Sequence, residues 1–203
     1  LPMMSMVDRL AAAALSLAPD KVVRALEDVA VKRWLPLPEA TRLETETHSL
    51  GDDRYAVSLL AWRQAARQEL SRFEQIATAT VCLADGYGDP PAPLPALAAE
   101  HQTELPYTTG ALFHGPAFHK LRSLRRDGSG ASAVLDAAPG QVPLGALNQL
   151  LLDAATHAIP HDDLHSWCAD IGSDLVAYPY RISSLELFGE TPIAGGVRCE
   201  VRF

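Results

Sequence analysis

The segment 150–157 reads Leu-Leu-Leu-Asp-Ala-Ala-Thr-His and places one carboxylate inside an apolar stretch. Apolar residues recur around this segment at helical spacing, and they are Leu147, Leu151, Ala154 and Ala158. The spacing predicts a helix over residues 144–159 with one apolar face.

Asp153 is that acidic residue. Removing a carboxylate from water is costly unless the group has a partner or a chemical role. A desolvated carboxyl group favours its protonated form, which would let Asp153 serve as a general acid. His157 follows four residues later on the same helix face and within reach. The alternative interpretation is an Asp–His pair at the point where the helix meets solvent.

Each half of the chain contains one small apolar helix and a set of strand-like segments. Residues 3–17 predict a first helix that ends before Pro19. Strand-like segments then occur at 22–34, 42–48, 54–62, 73–83, 119–126, 131–137, 175–188 and 196–203. Turn residues predict hairpins at Gly51-Asp52-Asp53 and at Asp127-Gly128. Helices followed by successive strands indicate an α+β fold with antiparallel sheets.

A proline-rich stretch at 85–106 separates the two occurrences of this pattern. We therefore predict a first domain at 1–84, a linker at 85–106 and a second domain at 107–203. The chain begins without an initiator methionine and ends inside a strand-like segment. We expect the first domain to be incomplete at its start and the second to be incomplete at its end.

The composition of the chain indicates which binding partners and which cellular compartment to expect. The net charge of −8 and the absence of a basic run argue against nucleic acid and anionic membranes as partners. The longest apolar stretch, Leu10 to Ala18, is too short to span a bilayer. Three cysteines without a zinc-ligand or disulfide spacing indicate a reducing compartment, so we expect a cytoplasmic protein.

Two motifs give the chain a family resemblance. Leu152-Asp153-Ala154-Ala155-Thr156-His157 resembles the LDAxxQ/H motif of dehydratase domains in type I polyketide synthases. The stretch 112–118, Leu-Phe-His-Gly-Pro-Ala-Phe, resembles their YGPxF motif, in the form found in polyunsaturated fatty acid synthases and iterative enediyne-type synthases. Both motifs stand in the family's order. Leu1-Pro2 resembles the end of its HxxxGxxxxP motif.

This resemblance implies a double hotdog, in which each of two helices is wrapped by a curved antiparallel sheet. It implies dehydration of a β-hydroxyacyl thioester on an acyl carrier protein, without a cofactor of the enzyme's own. Asp153 would be the acid and His157 its partner, and the base would be a histidine that precedes Leu1. The tunnel residues that it implies are His114, Gly115, Pro116, Phe118 and Pro2. Expected partners are a carrier domain on the same polypeptide, neighbouring synthase domains and a second copy in a homodimer.

The motifs also depart from the family pattern. Asn148-Gln149 stands where the family usually has His-Pro, and Leu112 and His114 stand where it has tyrosines. Two alternatives therefore stay open: an inactive double hotdog with a structural, dimerising or acyl-binding role, and a product-template-type domain that guides cyclisation.

The other histidines carry no predicted site. His157, His161 and His165 are four residues apart, a spacing that could place metal ligands on one helix face. Pro160 breaks the helix between the first two, so we predict a solvated loop and no metal site. We also predict that His48 and His119 face solvent.

Overall fold

The computed structural model describes residues 1–36, 40–97, 101–112 and 114–203. These residues form two compact units. The first comprises Leu1–Pro90, Gly145–Leu147 and Pro179–Glu190, and the second comprises Pro91–Leu144, Asn148–Tyr178 and Thr191–Phe203. Each unit combines helix with an antiparallel sheet, which confirms the predicted α+β double-hotdog class.

In the first unit one helix packs against one sheet. The helix is α1 (Met3–Leu15), and the strands are β1 (Val22–Val31), β2 (Leu43–Gly51), β3 (Arg54–Arg63), β4 (Arg72–Ala84) and β8 (Arg181–Glu186). Their order across the sheet is β2-β3-β4-β1-β8, and all the pairings are antiparallel. Met6 and Leu10 of α1 are fully buried, as is Ile76 of β4. Burial of this helix face supplies the apolar driving force for the unit.

The second unit contains the helix that carries Asp153. Its elements are β5 (His101–Gln102), α2 (Pro106–Thr109), β6 (Leu121–Asp127), β7 (Gly130–Asp136), α3 (Gln149–Thr156) and β9 (Gly196–Arg202). The sheet order is β5-β6-β7-β9, again antiparallel. Leu151 and Ala154 of α3 pack with Leu124 and Leu135 of the sheet in one apolar core.

Most predicted elements are present, with shorter helices. The helix α1 ends at Leu15, so Leu17 lies beyond it and is exposed. The helix α3 covers only half of the predicted range 144–159. Both predicted hairpins form, β2–β3 and β6–β7.

Two segments pair differently from what their order along the chain predicts. The predicted strand 175–188 is reduced to β8, and it pairs with β1 of the first unit instead of joining the second half of the chain. Within the predicted linker 85–106, His101 and Gln102 pair with β6. The two units therefore do not coincide with the predicted segments 1–84 and 107–203. Antiparallel pairing needs only a free strand edge, and periodicity along the chain does not specify which edge is used.

Candidate active site

The helix α3 has a fixed beginning. The Asn148 side-chain oxygen accepts a hydrogen bond from the Leu151 amide at 3.2 Å, which caps the helix. Its side-chain nitrogen donates to the carbonyls of Ala137 and Pro192, each at 2.7 Å. The backbone amide of Asn148 donates to the Thr191 hydroxyl at 2.8 Å. These bonds explain why the helix begins at Gln149 and not at residue 144.

The end of α3 is fixed by a side chain from the sheet. The guanidinium of Arg126 donates to the carbonyls of His157, Ala158 and Ile159 at 3.0–3.3 Å. A cation at a helix C-terminus is favourable because the last carbonyls carry partial negative charge. Asp153 thus lies on a short helix that is held at both ends, and His157 is the C-cap residue of that helix.

Asp153 and His157 meet inside the second unit. Asp153 Oδ2 lies 3.1 Å from His157 Nε2, and the two side chains are only 6% and 1% exposed. The two atoms are not aligned for a hydrogen bond, and neither has a hydrogen-bond partner among the described residues. The alternative of a surface Asp–His pair is therefore wrong. A buried polar pair of this kind is expected to have a function or a ligand.

Tyr107 lies behind His157. Its hydroxyl is 2.8 Å from His157 Nδ1, and it accepts a hydrogen bond from the Leu121 amide at 3.3 Å. The Tyr107 ring stacks on His119 with centroids 4.1 Å apart. Burial raises the pKa of the Tyr107 phenol, so the hydroxyl keeps its proton near neutral pH. Tyr107 consequently fixes the orientation of the His157 ring from the side opposite Asp153.

His114 is the third member of the cluster. Its Nε2 lies 3.7 Å from Asp153 Oδ2, and its ring centroid lies 4.4 Å from that of His157. Burial lowers the pKa of His114, and the neighbouring His157 lowers it further. His119 Nε2 contacts the His114 carbonyl at 2.7 Å and holds the backbone of the turn.

The remaining predicted site residues occupy two places. Gly115, Pro116 and Phe118 continue the turn that begins at His114, with a short 3-10 helix over Pro116–Phe118 that packs against α3. Gly115 and Pro116 are exposed, whereas Phe118 is half-buried. Pro2 belongs to the first unit, where it stands immediately before α1. Phe113 of the motif lies outside the described residues.

The histidine predictions have mixed outcomes. His48 and His119 are exposed, as predicted, although His119 also stacks on Tyr107. The prediction of a solvated loop is wrong for His161, which is 6% exposed. Its ring nitrogens lie 2.9 Å from the carbonyls of Thr156 and Ala177. His165 is exposed and lies outside the Asp153 cluster.

Sequence reasoning missed Tyr107 and Arg126. Their partners on α3 are about 50 and 30 residues away along the chain, and no local pattern indicates such contacts. No described helix is long and apolar enough to cross a membrane.

Comparisons with known proteins place this geometry in context. No protein-family model matches the chain, and the search of curated proteins finds no match. Solved structures do match. The erythromycin dehydratase is 22% identical with a TM-score of 0.69, and the match covers 98% of this chain and 70% of that one. The dehydratase domain of RzxB from Pseudomonas fluorescens is 16% identical with a TM-score of 0.74, covering 100% and 74%.

The chain has the fold of a polyketide synthase dehydratase domain. A further match to this dehydratase fold is an inactive CurK dehydratase mutant, 17% identical with a TM-score of 0.70 and covering 100% of this chain and 72% of that one. The resemblance first seen in two short motifs thus extends along the whole chain at the level of the fold.

Proposed function

We propose that this chain removes water from a β-hydroxyacyl thioester carried by an acyl carrier protein, with Asp153 as the general acid. The observation that carries the proposal is the buried contact of Asp153 with His157 on a helix of a dehydratase fold. A general acid needs a defined position, and α3 supplies it through the bonds at both of its ends.

The reaction balances without a cofactor. A base removes the proton from the carbon next to the thioester, and the electron pair forms the carbon–carbon double bond. The bond to the β-hydroxyl breaks, and Asp153 delivers its proton to the departing oxygen, which leaves as water. The base is the histidine that the family resemblance places before Leu1. The thioester acidifies the α-proton and thereby lowers the barrier to its removal.

His157 and Tyr107 position the acid. With Tyr107 at His157 Nδ1, the opposite ring nitrogen, Nε2, faces the carboxyl group of Asp153 at 3.1 Å. An imidazole fixed in this way favours one carboxyl orientation before substrate binds. The turn from His114 through Gly115 and Pro116 to Phe118 lines the acyl tunnel in this proposal.

Solved structures with the same fold support the proposal that a histidine and an aspartate carry the reaction. Two of the matching structures are inactive CurK dehydratase mutants, one with a histidine replaced by phenylalanine and one with an aspartate replaced by asparagine. The proposed elimination uses one histidine as the base and one aspartate as the acid. The carrier protein and the neighbouring synthase domains are expected on the same polypeptide.

The decisive experiment compares Asp153→Asn with the unmodified domain. This chain, together with the residues that precede Leu1 in its gene, is incubated with a 3-hydroxyacyl carrier protein, and enoyl product is measured by mass spectrometry. We expect at least a 100-fold loss of turnover, because general acid catalysis contributes typically 10²–10⁴-fold. The matched control is Asp162→Asn, an exposed carboxylate in the same unit, which should retain activity.

Unchanged turnover in Asp153→Asn would refute the assignment of the acid. No turnover in the unmodified domain, with its circular dichroism spectrum intact, would instead favour the structural or cyclisation alternatives.

A further inference from the structure

The cluster at Asp153 offers the donor atoms of a metal site. His114, Asp153 and His157 each present one ligand atom, and the three atoms lie within 4.8 Å of one another. We propose that these three side chains bind one divalent transition-metal ion of the zinc type. Binding does not depend on the proposed function, and only its effect on dehydration rests on that function.

Two of the three donor separations are close to those around a tetrahedral ion, and the third, between the His114 and His157 nitrogens, is within 4.8 Å. Bonds of about 2.0–2.1 Å in a tetrahedral zinc site place neighbouring donors about 3.3 Å apart. The two measured separations, 3.1 Å from Asp153 Oδ2 to His157 Nε2 and 3.7 Å from Asp153 Oδ2 to His114 Nε2, lie on either side of that value. Adjustments of a few tenths of an ångström bring these pairs to bonding distance of one ion.

Two of the donors have unused bonding capacity. Asp153 Oδ2 and His157 Nε2 are buried atoms without a hydrogen-bond partner among the described residues, on side chains more than nine-tenths buried. An unsatisfied buried polar atom costs about 1–3 kcal/mol. A metal ion between them would satisfy both at once, and neither donor would have to leave an existing bond.

The surroundings of the donors match those of metal-binding histidines. Such a histidine usually has its second ring nitrogen held by an outer hydrogen bond, and Tyr107 holds His157 Nδ1 at 2.8 Å. His119 fixes the carbonyl of His114. Asp153 lies on α3, and His157 is the C-cap residue one turn later, so the helical backbone sets their separation.

The donor set selects the class of ion. Two imidazoles and one carboxylate suit zinc and its neighbours, whereas calcium and magnesium prefer sites made of oxygen atoms. Three protein ligands leave a fourth position for water. His114 is 20% exposed, which gives solvent a route from its side.

Metal binding would oppose the proposed reaction. A carboxylate that coordinates the ion has no proton to give to a leaving hydroxyl. Zinc occupancy and dehydration therefore exclude each other, and a bound zinc ion would act as a reversible inhibitor.

The test is a metal titration of the chelator-treated 203-residue chain. Zn²⁺ affinity is measured by competition with a chromophoric chelator, and Co²⁺ serves as the spectroscopic probe. We expect one equivalent of Co²⁺ with the visible absorption of a four- or five-coordinate ion and no thiolate charge-transfer band. His114→Gln and Asp153→Asn should each weaken Zn²⁺ affinity on the order of 100-fold, because loss of even an outer-shell partner typically costs 10–100-fold.

Control variants distinguish the loss of a metal ligand from a general loss of structure. His165→Gln removes an exposed histidine of the same unit and should leave the affinity unchanged. His114→Gln changes a half-buried turn residue, and its circular dichroism spectrum should match that of the unmodified chain. Substoichiometric binding, a thiolate band, or unchanged affinity in either ligand variant would overturn the proposal. Tight binding together with an inactive complete domain would leave the metal site standing and reject the dehydratase function alone.

Discussion

Asn148→Ala tests whether one buried amide holds the helix that carries Asp153. The substitution removes the helix cap on the Leu151 amide, which costs about 1 kcal/mol. It also leaves the Ala137 carbonyl without its buried bond, at about 2 kcal/mol, and the partly buried Pro192 carbonyl without its donor, at up to about 1 kcal/mol. We expect a loss of about 3–4 kcal/mol in the free energy of unfolding.

Urea denaturation of the second unit measures this loss. Trp167 belongs to that unit and donates to the Asp127 carbonyl at 2.8 Å. A Trp34→Phe, Trp62→Phe background leaves its fluorescence as the only tryptophan signal. With a slope of about 2 kcal/mol per molar urea, the midpoint should fall by about 1.5–2 M.

Two further variants locate the effect. Asn148→Asp keeps an oxygen acceptor for the cap but loses both bonds to carbonyls, so it should also be destabilised. Gln149→Ala changes the next residue, which donates to the Pro143 carbonyl at the surface, and should shift the midpoint by less than about 0.5 M. A loss below about 1 kcal/mol in Asn148→Ala, or wild-type stability in Asn148→Asp, would refute the reasoning.

Three other substitutions test the rest of the framework. In Gly130→Ala the new Cβ would overlap the Val201 carbonyl at a φ of +151°, so thermal denaturation should show a loss of about 3 kcal/mol or more, whereas Gly128→Ala has open space and should be tolerated. Tyr107→Phe removes the hydroxyl at His157 and should cost about 1–3 kcal/mol in urea denaturation, against little change for the exposed Tyr180→Phe. Burial raises the pKa of the Asp8 carboxyl group, so the folded state holds the proton on this group more tightly than the unfolded chain does. The free energy of unfolding should therefore fall as the pH rises from about 4 through the raised pKa. Asp8→Asn keeps an acceptor for the Leu147 amide and should lose that part of the pH dependence; an identical profile in the variant would contradict the assignment.

Asp8 also illustrates a packing constraint within the first unit. Its carboxylate accepts a hydrogen bond from the Leu147 amide at 2.8 Å and occupies the place where a Cβ on residue 145 would lie. Glycine at 145 is therefore needed by the close approach of Asp8. Residues 145–147 directly precede Asn148, so the chain is held on both sides of the point where α3 begins.

Several features of this protein follow from the sequence by itself. The period of apolar residues predicts α1 and α3, because a helix repeats its buried face every three to four residues. Glycine and aspartate at turns predict both hairpins, since those residues accept the backbone angles that tight turns require. An acidic residue inside an apolar helix, with a histidine one turn later, identifies Asp153 and His157 as the pair to examine.

Other features required the tertiary structure. The pairing of β8 with β1 joins residues about 150 positions apart. Local periodicity describes only neighbours along the chain, so it cannot predict this pairing. Tyr107, His114 and Arg126 reach α3 from other elements of the unit, so their contacts depend on how the chain is packed. The length of α3 depends on bonds from Asn148 and Arg126, which override the longer apolar stripe. Sequence thus determined which side chains could carry the chemistry, and the tertiary structure determined which of them meet, because hydrogen bonds and burial are set by neighbours in space.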